Sequence, residues 1–228
     1  MRLHFAAALM VLVNLLGHGR AVAQDIVQPM YIVSYIEVAP RFVTEARQLI
    51  MSYSADARRA PGAAAIDAMQ RIGVSNHFAL VEHWKSRQGR DDFASTPAAI
   101  KFRAALGPMQ SAAYDERVYA PITVGSPMPS AGDPIVVLTH VDVVPTSTEA
   151  GTALVKAFAE QNRGATGNLR FDALVQADRR NHMTLVEGWN GQADKEAEIS
   201  TTATKSFREG LQPMSGALYD ERAYRLLR

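Results

Sequence analysis

The chain carries the same domain-sized pattern twice. The segment Asn76-His77-Phe78-Ala79-Leu80-Val81-Glu82-His83-Trp84 returns as Asn181-His182-Met183-Thr184-Leu185-Val186-Glu187-Gly188-Trp189. Tyr114-Asp115-Glu116-Arg117-Val118-Tyr119 returns as Tyr219-Asp220-Glu221-Arg222-Ala223-Tyr224. Both pairs align without a gap from Tyr31 to the C-terminus, with about 27 of roughly 93 aligned residues identical, a level at which a repeat is secure. A period this long is a small domain rather than a solenoid unit. Two copies on one chain can dock on each other as a built-in dimer, and a packed interface adds materially to the stability of domains of this size.

Each copy reads as β-α-β-β-α-β. Tyr31 to Val38 is a β-branched and aromatic run closed by Pro40, hence a strand. Phe42, Ala46, Leu49, Ile50, Tyr53 and Ala57 then recur at helical spacing, as do Gly151, Leu154, Val155 and Phe158 in the second copy. Thr146 and Glu149 have the spacing of a capping box for that second helix. Short strands over Ile66 to Gln70 and Phe171 to Gln176 precede the strands His77 to Trp84 and His182 to Trp189. A further helical region spans about Arg87 to Leu106 and its copy, with Pro97 near its middle in the first copy only, and the Tyr-Asp-Glu-Arg strand closes each unit. This is the ferredoxin-like α+β arrangement. Domain 1 is expected over 29–120 and domain 2 over 135–228. Between them, 121–134 is rich in Pro and Gly and reads as a semi-extended linker. At about 3.1 Å per residue it spans on the order of 45 Å, enough for the two sheets to meet face to face.

Strand alternation supports that packing. Phe78, Leu80, Glu82 and Trp84 share one face, with His77, Ala79, Val81 and His83 on the other. Ile32, Ser34, Ile36 and Val38 likewise oppose Tyr31, Val33, Tyr35 and Glu37. Neither face is polar throughout, so both are expected to be covered. Helices cover one and the other copy's sheet covers the second.

The first 23 residues read as a signal peptide. Arg2 supplies the positive end, Phe5 to Leu16 the apolar run, and Ala21-Val22-Ala23 the cleavage site, which places the mature protein in a periplasm or outside the cell. The apolar run of about 12 residues is too short to span a bilayer, so no membrane association is expected after cleavage. The chain contains no cysteine, which excludes disulfides, thiolate nucleophiles and Cys-bound metal. Its 24 basic and 23 acidic residues are interspersed. Nucleic acid is therefore not an expected partner, since phosphate binding needs a concentrated basic face.

Val-Glu-x-Trp at the end of the third strand, followed by Phe-Arg-x-x-Leu-x-Pro-Met and Tyr-Asp-Glu-Arg-x-Tyr, resembles the antibiotic-biosynthesis-monooxygenase-like domains, which include quinol monooxygenases and belong to the dimeric α/β-barrel superfamily. The likeness is strongest over Pro134 to Arg228 and covers nearly the whole mature chain. It implies two sheets closed as an intrachain barrel with helices outside and an apolar pocket between sheet and helices in each copy. It also implies oxidation of a small aromatic or quinol-like molecule by O₂ without a cofactor. Relatives bind haem. Family members often carry histidines on the second helix, nine and fourteen residues after the Trp. Here those positions are Phe93 and Ala98, and Glu198 and Ala203, which disfavours haem.

Cofactor-free oxygenation needs a base, an apolar water-poor pocket and donors for a developing oxyanion. The candidate catalytic residues are His77, His182, Glu82 and Glu187. A carboxylate on an apolar face must be paired or have its pKa raised. Glu82 and Glu187 are thus bases of raised pKa, or partners of Arg103 and Arg208. Asn76, Asn181, Trp84, Trp189, Tyr35 and His140 are candidate substrate-binding residues. Each has a plainer alternative. The Asn-His pairs end turns, the tryptophans fill the core, and Tyr35 and His140, equivalent on the first strands, pair across the barrel. The Tyr-Asp-Glu-Arg strands read as an ion-pair network between copies. No metal site is expected, since His77 and His83 lie about 20 Å apart on one strand. A non-catalytic binding or structural protein of the same fold is the alternative function. Assembly beyond the internal pair is left open.

Overall fold

The computed structural model describes residues 28–129 and 132–228. The signal peptide expected over 1–23 lies outside the described residues. Among those residues, no helix is long and apolar enough to cross a membrane.

Repeat 1 consists of β1 (Met30–Glu37), α1 (Val43–Arg59), β2 (Ala63–Arg71), β3 (His77–Trp84), α2 (Arg87–Ala94), α3 (Pro97–Leu106) and β4 (Asp115–Thr123). Repeat 2 follows the same order. It consists of β5 (Ile135–Asp142), α4 (Thr148–Asn162), β6 (Asn168–Gln176), β7 (His182–Trp189), α5 (Gln192–Ile199), α6 (Thr202–Leu211) and β8 (Asp220–Leu226).

The eight strands form one closed barrel in the order β1-β3-β2-β8-β5-β7-β6-β4. Within each repeat the sheet is antiparallel, with the first strand between the third and the last. The repeats do more than face each other. Their edges hydrogen-bond, β2 to β8 through Met69–Leu226 and Arg71–Tyr224, and β4 to β6 through Tyr119–Gln176 and Ala120–Val175. Closure removes all four exposed edges, which are otherwise templates for aggregation.

The strand alternation read from the sequence sorts the two faces correctly. Tyr31, Val33, Tyr35, Ala79 and Val81 meet Val136, Leu138, Leu174 and Val186 in the barrel lumen. Phe78 and Leu80 lie on the outer face under Ile50, Phe102 and Leu106, and Trp84 lies there beside Phe93. In repeat 2, Phe171, Leu185 and Trp189 lie under Val155, Phe158 and Phe207.

Three local expectations change. The second helical region breaks in both repeats, not at Pro97 alone. Thr96 accepts from the Ala99 amide at 3.3 Å and Thr201 from the Thr204 amide at 3.2 Å, so each starts a new helix. The hydroxyl offers the backbone a cap that competes with helix continuation, and Pro97 merely occupies the first position of α3. The Thr146–Glu149 capping box does not form. Pro145–Ser147 makes a 3₁₀ turn instead, and α4 starts after Ser147 with no side-chain cap. Finally, β4 continues to Thr123, so the first three residues expected in the linker are strand.

The ion pairs of the Tyr-Asp-Glu-Arg strands stay within each repeat rather than joining the two. Arg117 pairs with Asp115 and Arg222 with Asp220, both at 2.6 Å. Glu116 pairs with Arg90 and Arg103, and Glu221 approaches Lys195 at 3.6 Å. Residues two apart on a strand share a face, so each Asp meets its own Arg before it can reach the other copy. An ion pair that does join the repeats comes from other strands. Buried Arg170 on β6 reaches Asp67 on β2 at 2.9 Å while holding Asp172 at 2.6 Å.

Candidate functional site

Glu82 is 3% exposed at the middle of repeat 1's sheet, on the helix-covered face. Its strand neighbours on either side are Ile32 and Ile66, so water cannot solvate the carboxylate from within the sheet. Two donors reach it instead. The Tyr53 hydroxyl, from α1, donates to Oε1 at 3.0 Å, and the Trp84 indole Nε1 donates to Oε2 at 2.7 Å. Among the described residues no cation lies within salt-bridge distance. The expected pairing with Arg103 is not made, because Arg103 and Arg90 both engage Glu116 at the rim. Burial pushes the Glu82 carboxyl above its ordinary value, and the hydrogen bonds from Trp84 and Tyr53 offset this only in part.

Beside this carboxyl lies a cleft of about 220 Å³, lined by Tyr53, Glu82, Arg90, Phe93, Ala94, Ala99, Ile100 and Arg103. Its apolar wall comes from α2 and α3 and its polar rim from two arginines. Trp84 is fully buried behind it, with its ring 5.4 Å from that of Phe93. A base of raised pKa, two fixed donors and an apolar wall form a site that can accept a proton from a small aromatic acid.

The same position in repeat 2 is filled. Glu187 again receives the indole of its tryptophan, Trp189, at 3.0 Å. Lys195, where repeat 1 has Arg90, folds inward to Glu187 at 2.9 Å and Glu198 at 3.0 Å. Glu198, where repeat 1 has Phe93, also accepts from the Thr204 hydroxyl, and Thr139 reaches Glu187 at 3.3 Å. Burial alone would lower the Lys195 ammonium, but the carboxylates of Glu187, Glu221 and Glu198 override it and hold it charged. Burial raises Glu187, with Lys195 opposing. The salt bridge expected at Glu187 therefore exists, made by Lys195 rather than Arg208.

The other candidates lie apart from the cleft. His77 is on the lumen side of β3, five residues from Glu82, with its ring 3.7 Å from Glu37. His182 pairs with Asp142 at 3.0 Å. The Asn76 and Asn181 amides donate to the carbonyls of Val38 and Val143 at 3.0 and 2.8 Å, where they hold turns. Tyr35 and His140 meet in the lumen with ring centroids 5.3 Å apart. Burial, together with Arg117 and Arg222, lowers His140 to about 4, so it is neutral at physiological pH. The structure thus brings Glu82 and Trp84 together but not His77, Asn76 or Tyr35. Tyr53, Arg90 and Phe93 were missed as site residues. A signal for two of them was present, because positions 90/195 and 93/198 change character together between copies that otherwise keep Glu and Trp. Among the described residues no three His, Asp or Glu side chains gather as a metal-binding group.

No protein-family model matches the chain, and no curated protein matches it. Solved structures do. A candidate monooxygenase from Fusobacterium nucleatum superimposes with a TM-score of 0.80 at 14% identity, covering 89% of this chain and 94% of its own. This chain shares the fold of that structure, a tandem α/β barrel. A candidate monooxygenase from Lactobacillus acidophilus NCFM gives a TM-score of 0.74 at 13% identity, covering 88% of this chain and 95% of that one. An anthrone oxidase-like protein gives 0.70 at 11%, covering 88% and 92%. At these identities the likeness is one of fold. It bears out the expectation of an intrachain dimeric barrel and leaves the chemistry to the site.

Proposed function

We propose that this tandem barrel is an exported monooxygenase that oxidises a small phenol or quinol with O₂, using the cleft of repeat 1 and no resident cofactor. The observation that carries the reading is a buried carboxyl of raised pKa, held by two donors, that opens onto an apolar cleft of one-ring size.

In this reading the Glu82 carboxylate takes the proton of a phenolic hydroxyl. The phenolate gives one electron to O₂, leaving a phenoxyl radical and superoxide. The two join through a new C–O bond at a ring carbon bearing hydrogen. Glu82 returns its proton to the terminal oxygen, forming a hydroperoxide. Loss of water across the C–O–O unit then leaves a quinone, so one O₂ gives one quinone and one water. Arg90 and Arg103 at the rim favour the developing negative charge. The apolar walls from Phe93, Ala99 and Ile100 exclude water that would otherwise solvate the phenolate. Repeat 2 serves as scaffold, since its equivalent carboxylate is occupied by Lys195.

An oxygen electrode and product analysis test this. Across a panel of hydroquinones, naphthols and phenols, the expected result is O₂ uptake matched one-to-one by quinone, with no peroxide released and loss of uptake in Glu82→Gln. No uptake above the buffer blank with any member of the panel refutes the reading and leaves a binding protein of the same fold.

A further inference from the structure

A second hollow lies just outside the cleft. It measures about 380 Å³ and is lined by Asp56, Ala60, Gly62, Gly89, Phe93 and Thr96, among others. Phe93 is the one residue common to the linings of groove and cleft. Its ring packs between Trp84 and Tyr53, at 5.4 Å from each, so this side chain stands at the boundary of the two spaces.

That ring has somewhere to go. Two residues of the groove lining, Gly62 and Gly89, press so closely that a Cβ on Gly62 would lie 2.6 Å from the Gly89 Cα. No side chain from either position fills the space above, and a rotation about Phe93 χ1 is a change between ordinary rotamers. Repeat 2 shows the closed alternative. Asp194 stands where Gly89 does, and Glu198 stands where Phe93 does, fixed by Lys195 and Thr204. Size also matters. The inner cleft alone, at about 220 Å³, falls below the roughly 300–1,000 Å³ of sites that enclose drug-sized ligands, and only with the groove does the space beside Glu82 reach it.

We propose that Phe93 is a swinging gate that sets substrate size at this site. With the ring inward, the cleft takes one aromatic ring beside Glu82. With the ring outward over Gly62 and Gly89, cleft and groove join and take a flat molecule of two or more fused rings. This rests on the reading of the cleft as the reactive site, but binding can be measured without turnover. Methoxybenzene and 2-methoxynaphthalene have no phenolic proton, so they occupy the site without reacting.

Quenching of Trp84 emission reports their binding, with Trp189→Phe as the common background. The expected result is that 2-methoxynaphthalene binds at least about tenfold more tightly than methoxybenzene. Phe93→Ala should speed its association, and Arg90→Lys with Phe93→Glu, the pair found in repeat 2, should abolish the preference for two rings. Circular dichroism confirms that each variant is folded. Unchanged association in folded Phe93→Ala, or a retained two-ring preference in the folded double variant, overturns the gate. Binding as expected with no O₂ uptake from any phenol refutes the oxygenase reading and leaves the gate standing.

Discussion

The two halves of this barrel hold the same carboxylate and the same tryptophan in the same place, yet surround them in opposite ways. In repeat 1, Glu82 has only neutral donors and faces an open cleft. In repeat 2, Glu187 is clamped by an ammonium that also holds Glu198. The difference reduces to a few side chains. Arg90 becomes Lys195, Phe93 becomes Glu198 and Ala99 becomes Thr204, and together they turn an apolar hollow into a satisfied ionic plug. A long guanidinium reaches out of the site to Glu116, whereas the shorter, more compact ammonium turns inward. A duplicated fold can thus leave one copy's carboxylate open to a cleft and close off the other's with an ion pair.

Removing the plug has the largest expected effect on stability. Lys195→Ala leaves Glu187 and Glu198 buried without their cation, which costs about 3–5 kcal/mol. Arg90→Ala, at a partly exposed rim pair where Glu116 keeps Arg103, costs about 1 kcal/mol. Urea unfolding of the two variants measures the contrast, and equal losses would break it.

Next in size is the dependence of stability on pH. The folded-state pKa of Glu82 is raised, so the native state holds this proton more tightly than the unfolded chain does. Its contribution is fully present below the unfolded pKa and is lost as pH rises through the folded one. Glu82→Gln should therefore flatten the fall in stability above the ordinary carboxylate range. Unfolding midpoints across pH 4 to 8, compared with wild type, check this.

Smaller again is the effect of one donor. Tyr53→Phe removes the hydrogen bond at 3.0 Å that favours the charged form of Glu82, so the rising limb of the pH–rate profile should move alkaline. The corresponding residue in repeat 2 is already Phe158. An unmoved profile would mean that Tyr53 does not tune the base.

Much of this architecture was legible in the sequence because successive side chains of a strand point to opposite faces whatever covers them. Tyr31, Val33 and Tyr35 were assigned to one face and Ile32 and Ile36 to the other on that basis. The edge joints β2–β8 and β4–β6 were not legible, since backbone pairing across repeats leaves no side-chain signature, and Pro121 lies inside one of them. The site was half legible. Glu82 and Trp84 stand out as a retained pair on an apolar face. Asn76 and His77 were retained as well, but away from the cleft, where Asn76 holds the Val38 carbonyl and His77 lies near Glu37. Retention between two copies reports backbone needs as readily as chemistry. The sharper signal was where the copies differ, at positions 90/195, 93/198 and 99/204.

The most direct test compares the two carboxylates as isosteric amides. O₂ uptake with a quinol is measured for Glu82→Gln and Glu187→Gln, each checked for fold by circular dichroism. The expected result is a loss of about 10²–10⁴-fold for Glu82→Gln, with uptake near wild type for folded Glu187→Gln. Equal activity in both variants, or a loss confined to Glu187→Gln, would contradict the assignment of the chemistry to repeat 1.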